Sequence, residues 1–225
     1  MADAQFITDR PQAVISSHKV LRNTYMLLSL TLLFSAMMAG VAIAINAPHM
    51  GLMSILVMLG LLFGVHKLKN SVWGIAMVFA FTGFMGFALG PLVNFYLQTA
   101  SGSQTVMTAL GLTGMVFLSL SGYVLVSQKD FSYLSGFLMT GLVVIFGSML
   151  LMFIGSMFGF YVSGLHLALS AAIVFLMSGF ILYDTSRILH GGETNYLMAT
   201  VALYLDIYNL FVSLLHLLGA FGGDD

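Results

Sequence analysis

Two aspartates, Asp184 in ILYDTSRIL and Asp206 in VALYLDIYNLFVSLLHLL, stand in stretches with almost no other charge. An acid at the centre of an apolar helix costs about 2.5 to 3.5 kcal/mol on insertion scales, so each needs a reason to be there. Asp206 is followed by Asn209, Ser213 and His216 at steps of three, four and three. At 100° per residue these four polar side chains gather within about 80° of one helix face, while the other faces carry Leu, Val, Tyr and Phe. A buried acid with no base near it in sequence is neutral, paired or bound to a cation. The stripe is expected to turn inward.

A weaker stripe precedes it, because His166, Ser170 and Asp184 fall within about 40° of one another on a helical projection. The link LHGGETN joins the two segments, so antiparallel helices let Asp184 approach Asp206 at one end and His166 approach His216 at the other. Mirrored about the link, the aspartates are offset by several residues, and a tilt or an unwound turn at Gly191 and Gly192 is needed to bring them together. Asp184 also has an ordinary partner available in Arg187 at i+3, a contact worth a few tenths of a kcal/mol. The histidines read equally as hydrogen-bonding packing residues, and Glu193 as a solvated loop acid.

If the two acids meet, they do not both ionise cheaply in a poorly solvated site, so they share a proton and titrate as a pair. Loss of that proton leaves two negative charges, which push the helices apart or attract a hard cation to an oxygen-lined site. That is the chemistry of a pH-responsive gate or of a calcium coordination point at Asp184 and Asp206.

Composition names the solvent of the helices that must position these groups. Of 225 residues, 60% are hydrophobic and 7% charged, whereas a soluble domain is about 25% charged. The mean hydropathy of +1.03 belongs to an all-α integral membrane protein. A net charge of -1 with scattered bases leaves no footprint for nucleic acid. The absence of cysteine excludes disulfides, thiolate metal sites and haem attachment, and no resident cofactor is expected. The 17 methionines read as packing residues rather than as a metal pathway.

Residues 1–24 are polar and read as a cytoplasmic tail without the features of a signal peptide. A transmembrane domain follows over 25–221, with spans expected at 25–46, 51–67, 73–97, 106–126, 132–154, 164–188 and 196–219, each long enough for about 30 Å of hydrocarbon. Seven spans place the tail, Lys67, Lys69, Lys129 and Arg187 on one side of the bilayer, which accounts for all seven basic residues. The loops around Pro48, Ser101–Gln104 and Gly155–Gly164 carry none, and the chain ends in Asp224 and Asp225. Bases accumulate in the cytoplasm, so the N-terminus is expected inside and the C-terminus outside. The polar stripe makes the seventh helix the central one, enclosed by the other six. In the third span, Gly83, Gly86, Gly90 and Asn94 share about 80° of arc beside Pro91, which reads as close packing or, through Pro91 and Asn94, as the wall of a polar pathway.

The stretch ILYDTSRILHGGETNYLMATVALYLDIYNLFVSLLHLLG resembles the signature of the Bax-inhibitor (TMBIM) family in its bacterial, YccA-like branch. SSHKVLRNTYMLLSLTLLFSA and FAFTGFMGFALGPLVNFYL are similar to that branch too, so the resemblance covers nearly the whole chain. It implies a bundle whose final helix is enclosed by six others, in the bacterial cytoplasmic (inner) membrane. It further implies a pH-sensitive calcium leak gated by two aspartates, which by motif position are Asp184 and Asp206. A second-helix base latches the pair in some members, and here only His66, Lys67 and Lys69 near the end of that helix offer one. The branch also implies association with the membrane protease FtsH, which makes a regulatory binding protein without transport the alternative function. An intramembrane aspartyl protease is not expected, because Asp206 follows Leu-Tyr-Leu and lacks the Gly-x-Gly of such enzymes. A retinal protein is excluded by the lack of lysine in the seventh span.

Overall fold

The long apolar runs fold as helices because a backbone in hydrocarbon must satisfy its own N–H and C=O groups. A computed structural model describes residues 3–159 and 164–222, with 3–17 as backbone only. Residues 160–163 of the fifth-to-sixth loop, and the terminal Asp224 and Asp225 of the orientation argument, lie outside them. The helices are α1 (Asp3–Ala44), α2 (Leu52–Leu68), α3 (Trp73–Leu97), α4 (Gly102–Ser127), α5 (Ser135–Met157), α6 (Leu165–Leu189) and α7 (Tyr196–Phe221). A short 3-10 turn, Ser132–Leu134, precedes α5. Among the described residues there is no strand.

Six of these helices are long and apolar enough to cross a membrane, the first over His18–Ala44. α2 has 17 residues, and at 1.5 Å per residue it reaches about 26 Å, a little short of the hydrocarbon thickness. α1 extends back through the segment expected as a tail, so its backbone is helical well before residue 25.

The chain forms two units, Met1–Ala100 with Arg187–Tyr204, and Ser101–Ser186 with Leu205–Asp225. In the first, the small residues of α3 let α1 approach closely. A methyl group on Gly90 would stand 2.5 Å from the Ala42 Cβ and 2.9 Å from the Ala39 carbonyl oxygen, and one on Gly86 would collide with the carbonyl of Ser35. The glycine face is therefore a packing face. Pro91 continues the helix, half-buried, and deprives the Phe87 carbonyl of its usual donor.

Tyr204, in α7, is 1% exposed and joins three helices of this unit. Its phenol lies 2.7 Å from the Ser35 hydroxyl and donates to the Thr82 carbonyl at 3.2 Å, while its ring meets Phe81 edge-on. Asn195 caps α7 by accepting the N–H groups of Leu197 at 3.0 Å and Met198 at 3.2 Å. Its amide donates to the Lys69 carbonyl at 2.9 Å and to Asn70 at 3.1 Å, which ties the α6–α7 link to the end of α2.

In the second unit, Gly141 of α5 faces Leu176 of α6 and Gly179 of α6 faces Leu138 of α5, so each helix offers a gap to the other's leucine. Half of the most apolar stretch of α7 is buried, against 11% of that of α5. Of the six candidate spans, α7 has the largest buried share and α5 the smallest, with Leu138 and Ile145 the buried residues of α5.

Candidate ion-gating site

Asp184 lies near the end of α6 and is 8% exposed; Asp206, about two fifths of the way along α7, is 6% exposed. Both belong to the second unit. The Asp184 carboxyl stands within hydrogen-bonding reach of Asp206. A hydrogen bond between two carboxyl groups requires one of them to hold a proton. Oδ2 of Asp206 is buried and receives no hydrogen bond from any hydroxyl, amide or basic group among the described residues. An oxygen in that position is satisfied by a proton shared with its neighbour, by water or by a cation.

The end of α6 is held where it delivers Asp184. Thr185 and Ser186 are fully buried. The Thr185 hydroxyl donates to Ser121 of α4 at 3.3 Å, and Ser186 accepts the backbone N–H of Phe131 at 2.9 Å while donating to Asp130 at 3.4 Å. Asp130 also accepts the backbone N–H of Ser132 at 2.8 Å. The α4–α5 link is thereby fastened to α6 two residues beyond the acid.

Arg187 and Glu193 belong to the first unit, where Nη2 of the arginine lies 3.2 Å from Oε2 of the glutamate. Glu193 also accepts the N–H of Asn195 at 2.9 Å, so it is a structural acid of the link and not the solvated one expected. The turn forms as Gly191 adopts φ 76° and the N–H groups of Gly192 and Glu193 return to the Arg187 carbonyl, ending α6 at Leu189.

The rest of the α7 stripe enters a cavity of about 720 Å³ among α5, α6 and α7. Asn209, Ser213 and His216 line it from α7, and His166 and Ser170 from α6. The two histidines lie within electrostatic range of each other. Asn209 donates to the Leu205 carbonyl at 2.8 Å and Ser170 to the His166 carbonyl at 2.9 Å. The structure so brings together two clusters of the expected residues, the aspartates and the histidine-lined cavity. Pro91 and Asn94 belong to the first unit.

The family model described as Inhibitor of apoptosis-promoting Bax1 matches residues 17–223. The chain belongs to the Bax-inhibitor family. A family member in Escherichia coli K12, named modulator of FtsH protease YccA, is 50% identical over 208 residues, covering 92% of this chain and 92% of its own. The same match is found to a protein named inner membrane protein YccA in a second E. coli strain. An uncharacterized protein of Pseudomonas aeruginosa is 49% identical over 92% of this chain and 91% of its own. An uncharacterized membrane protein of Vibrio cholerae is 46% identical over 97% and 96%. As a Bax-inhibitor-family chain, this protein carries both aspartates on the last two helices of the matched region.

Several residues of this family member escape sequence reasoning. Tyr204 looks like one more aromatic on an apolar face, and Asp130 like a loop acid beside Lys129. What could have marked Ser121, Thr185 and Ser186 is their hydroxyls inside apolar spans, since a buried hydroxyl needs a partner.

Proposed function

We propose that the protein is a pH-sensitive cation leak pathway, with calcium the favoured ion, gated by Asp184 and Asp206. The observation that carries this reading is the contact of two buried carboxyl groups on adjacent helices. With one shared proton the pair holds a single negative charge; without it the pair holds two, which repel each other and attract a hard divalent cation. Asn209, Ser213, His216, His166 and Ser170 line a vestibule from which the ion reaches Asp206. Pro91 and Asn94 offer a further polar surface on α3, and Arg187 steadies the α6 end through Glu193.

The burial of α7 supports its reading as the central helix, enclosed by the other six with α2 as a short seventh span. The distribution of bases supports an N-terminus in the cytoplasm and a C-terminus outside. No catalytic step is assigned to the aspartates. The test is calcium influx into liposomes carrying the protein, followed over pH. Asp184→Asn and Asp206→Asn each flatten the pH response, and an unchanged response in both variants removes the gate from these residues.

A second reading is favoured by the E. coli relative named as a modulator of FtsH. In it the protein is a regulatory partner of that membrane protease, with the polar interior serving structure. Co-purification with FtsH that is lost on deletion of residues 1–17, together with no calcium flux, selects this function.

A further inference from the structure

The cavity among α5, α6 and α7 has a chemistry of its own. Among the described residues no carboxylate lines it, and the ionisable groups they bring to its wall are His166 and His216, which take up positive charge and never negative. The hydroxyls of Ser148, Ser156 and Ser170 are turned back to their own helices, donating to Val144 at 2.8 Å, Phe153 at 2.7 Å and His166 at 2.9 Å. The remaining wall is largely apolar. Its α5 side includes Met149, Leu151 and Phe153, which are 43%, 72% and 55% exposed and in a bilayer face acyl chains. The volume of about 720 Å³ lies within the range of single small-molecule sites, about 300 to 1,000 Å³, where an apolar wall carries a few oriented polar groups.

Among the described lining residues a hard cation finds no acid, and an anion meets no like charge. We propose that the cavity binds a fatty-acid-class amphiphile from the membrane, its acyl chain along α5 and its carboxylate between His166 and His216. The bound chain occupies the space lined by Asn209 and Ser213, the same space that the leak reading gives to the ion on its way to Asp206. The proposal concerns binding alone and stands or falls without the leak reading.

The test uses the full chain in zwitterionic lipid nanodiscs with a diazirine-bearing laurate, crosslinks being read by mass spectrometry. Labelling is expected on α5–α7 peptides that line the cavity, displaced by laurate. Dodecanol, which has the same chain and no charge, is expected to compete about tenfold less well, the worth of one hydrogen bond to a charged group. His166→Ala with His216→Ala removes that preference, and Leu151→Trp, on the exposed wall, removes the labelling. Val126→Trp, on the outer face of α4, retains it. Equal competition by dodecanol overturns the carboxylate assignment. Labelling spread evenly onto exposed α4 residues such as Met115 and Leu118, or persisting undiminished in Leu151→Trp, shows membrane lipid only and overturns the site.

Discussion

Ser186 accepts the backbone N–H of Phe131 at 2.9 Å, two residues beyond Asp184, and so fastens the α4–α5 link to the part of α6 that carries the acid. Both residues are buried, and Ser186 is fully so. Ser186→Ala leaves that N–H without its acceptor and is expected to cost about 1–3 kcal/mol. Thermal unfolding in a fixed detergent or nanodisc checks it. Asp130→Asn keeps the loop acceptor but removes its charge, and is expected to have the smaller effect of the two.

The aspartate pair gives a signed pH dependence. Below its titration the two carboxyls hold one proton and one net negative charge; above it they hold none and two. Repulsion between α6 and α7 and attraction for a divalent cation both grow with the second charge. Calcium influx is therefore expected to rise as pH rises through the titration. Asp206→Asn or Asp184→Asn caps the charge at one, and a liposome assay across the same range is expected to show a flat response.

Tyr204→Phe retains the ring against Phe81 and removes the phenol shared with Ser35 and Thr82. Its expected cost is about 1–2 kcal/mol, since the Thr82 carbonyl has its own helix to bond but the Ser35 hydroxyl loses an acceptor. Because Tyr204 and the aspartates belong to different units, the unfolding temperature is expected to fall while the pH midpoint of flux stays in place.

Two glycine substitutions separate close approach from mere helix weakness. Gly86→Ala forces a methyl group against the Ser35 carbonyl and is expected to destabilise by about 1–3 kcal/mol or more. Gly114, in α4, has nothing within 4 Å of where a Cβ would stand. Gly114→Ala is expected to be neutral or stabilising by up to about 1 kcal/mol, through helix propensity alone. Unfolding midpoints of the two variants in one detergent make the comparison.

Sequence by itself determined the solvent, the helices and which polar residues share a face of α7, a face on which Asp206 and Ser213 are buried while Asn209 is exposed. Those follow from local quantities, namely how apolar a run is, how long it is, and which residues recur at 100° intervals. Asp206 was legible for the same reason, since an acid at that depth is too costly to face lipid. Asp184 was legible as a candidate only, because two partners, Arg187 and Asp206, were each within plausible reach and periodicity cannot choose between them. Tertiary structure puts the buried Asp184 carboxyl where it acts on Asp206, pairs Glu193 with Arg187, and gives Asp130 and Tyr204 structural hydrogen bonds. Each of these joins residues far apart in the chain or across a turn. Their side chains look ordinary one at a time, and only the packing of whole helices brings the partners to hydrogen-bonding distance.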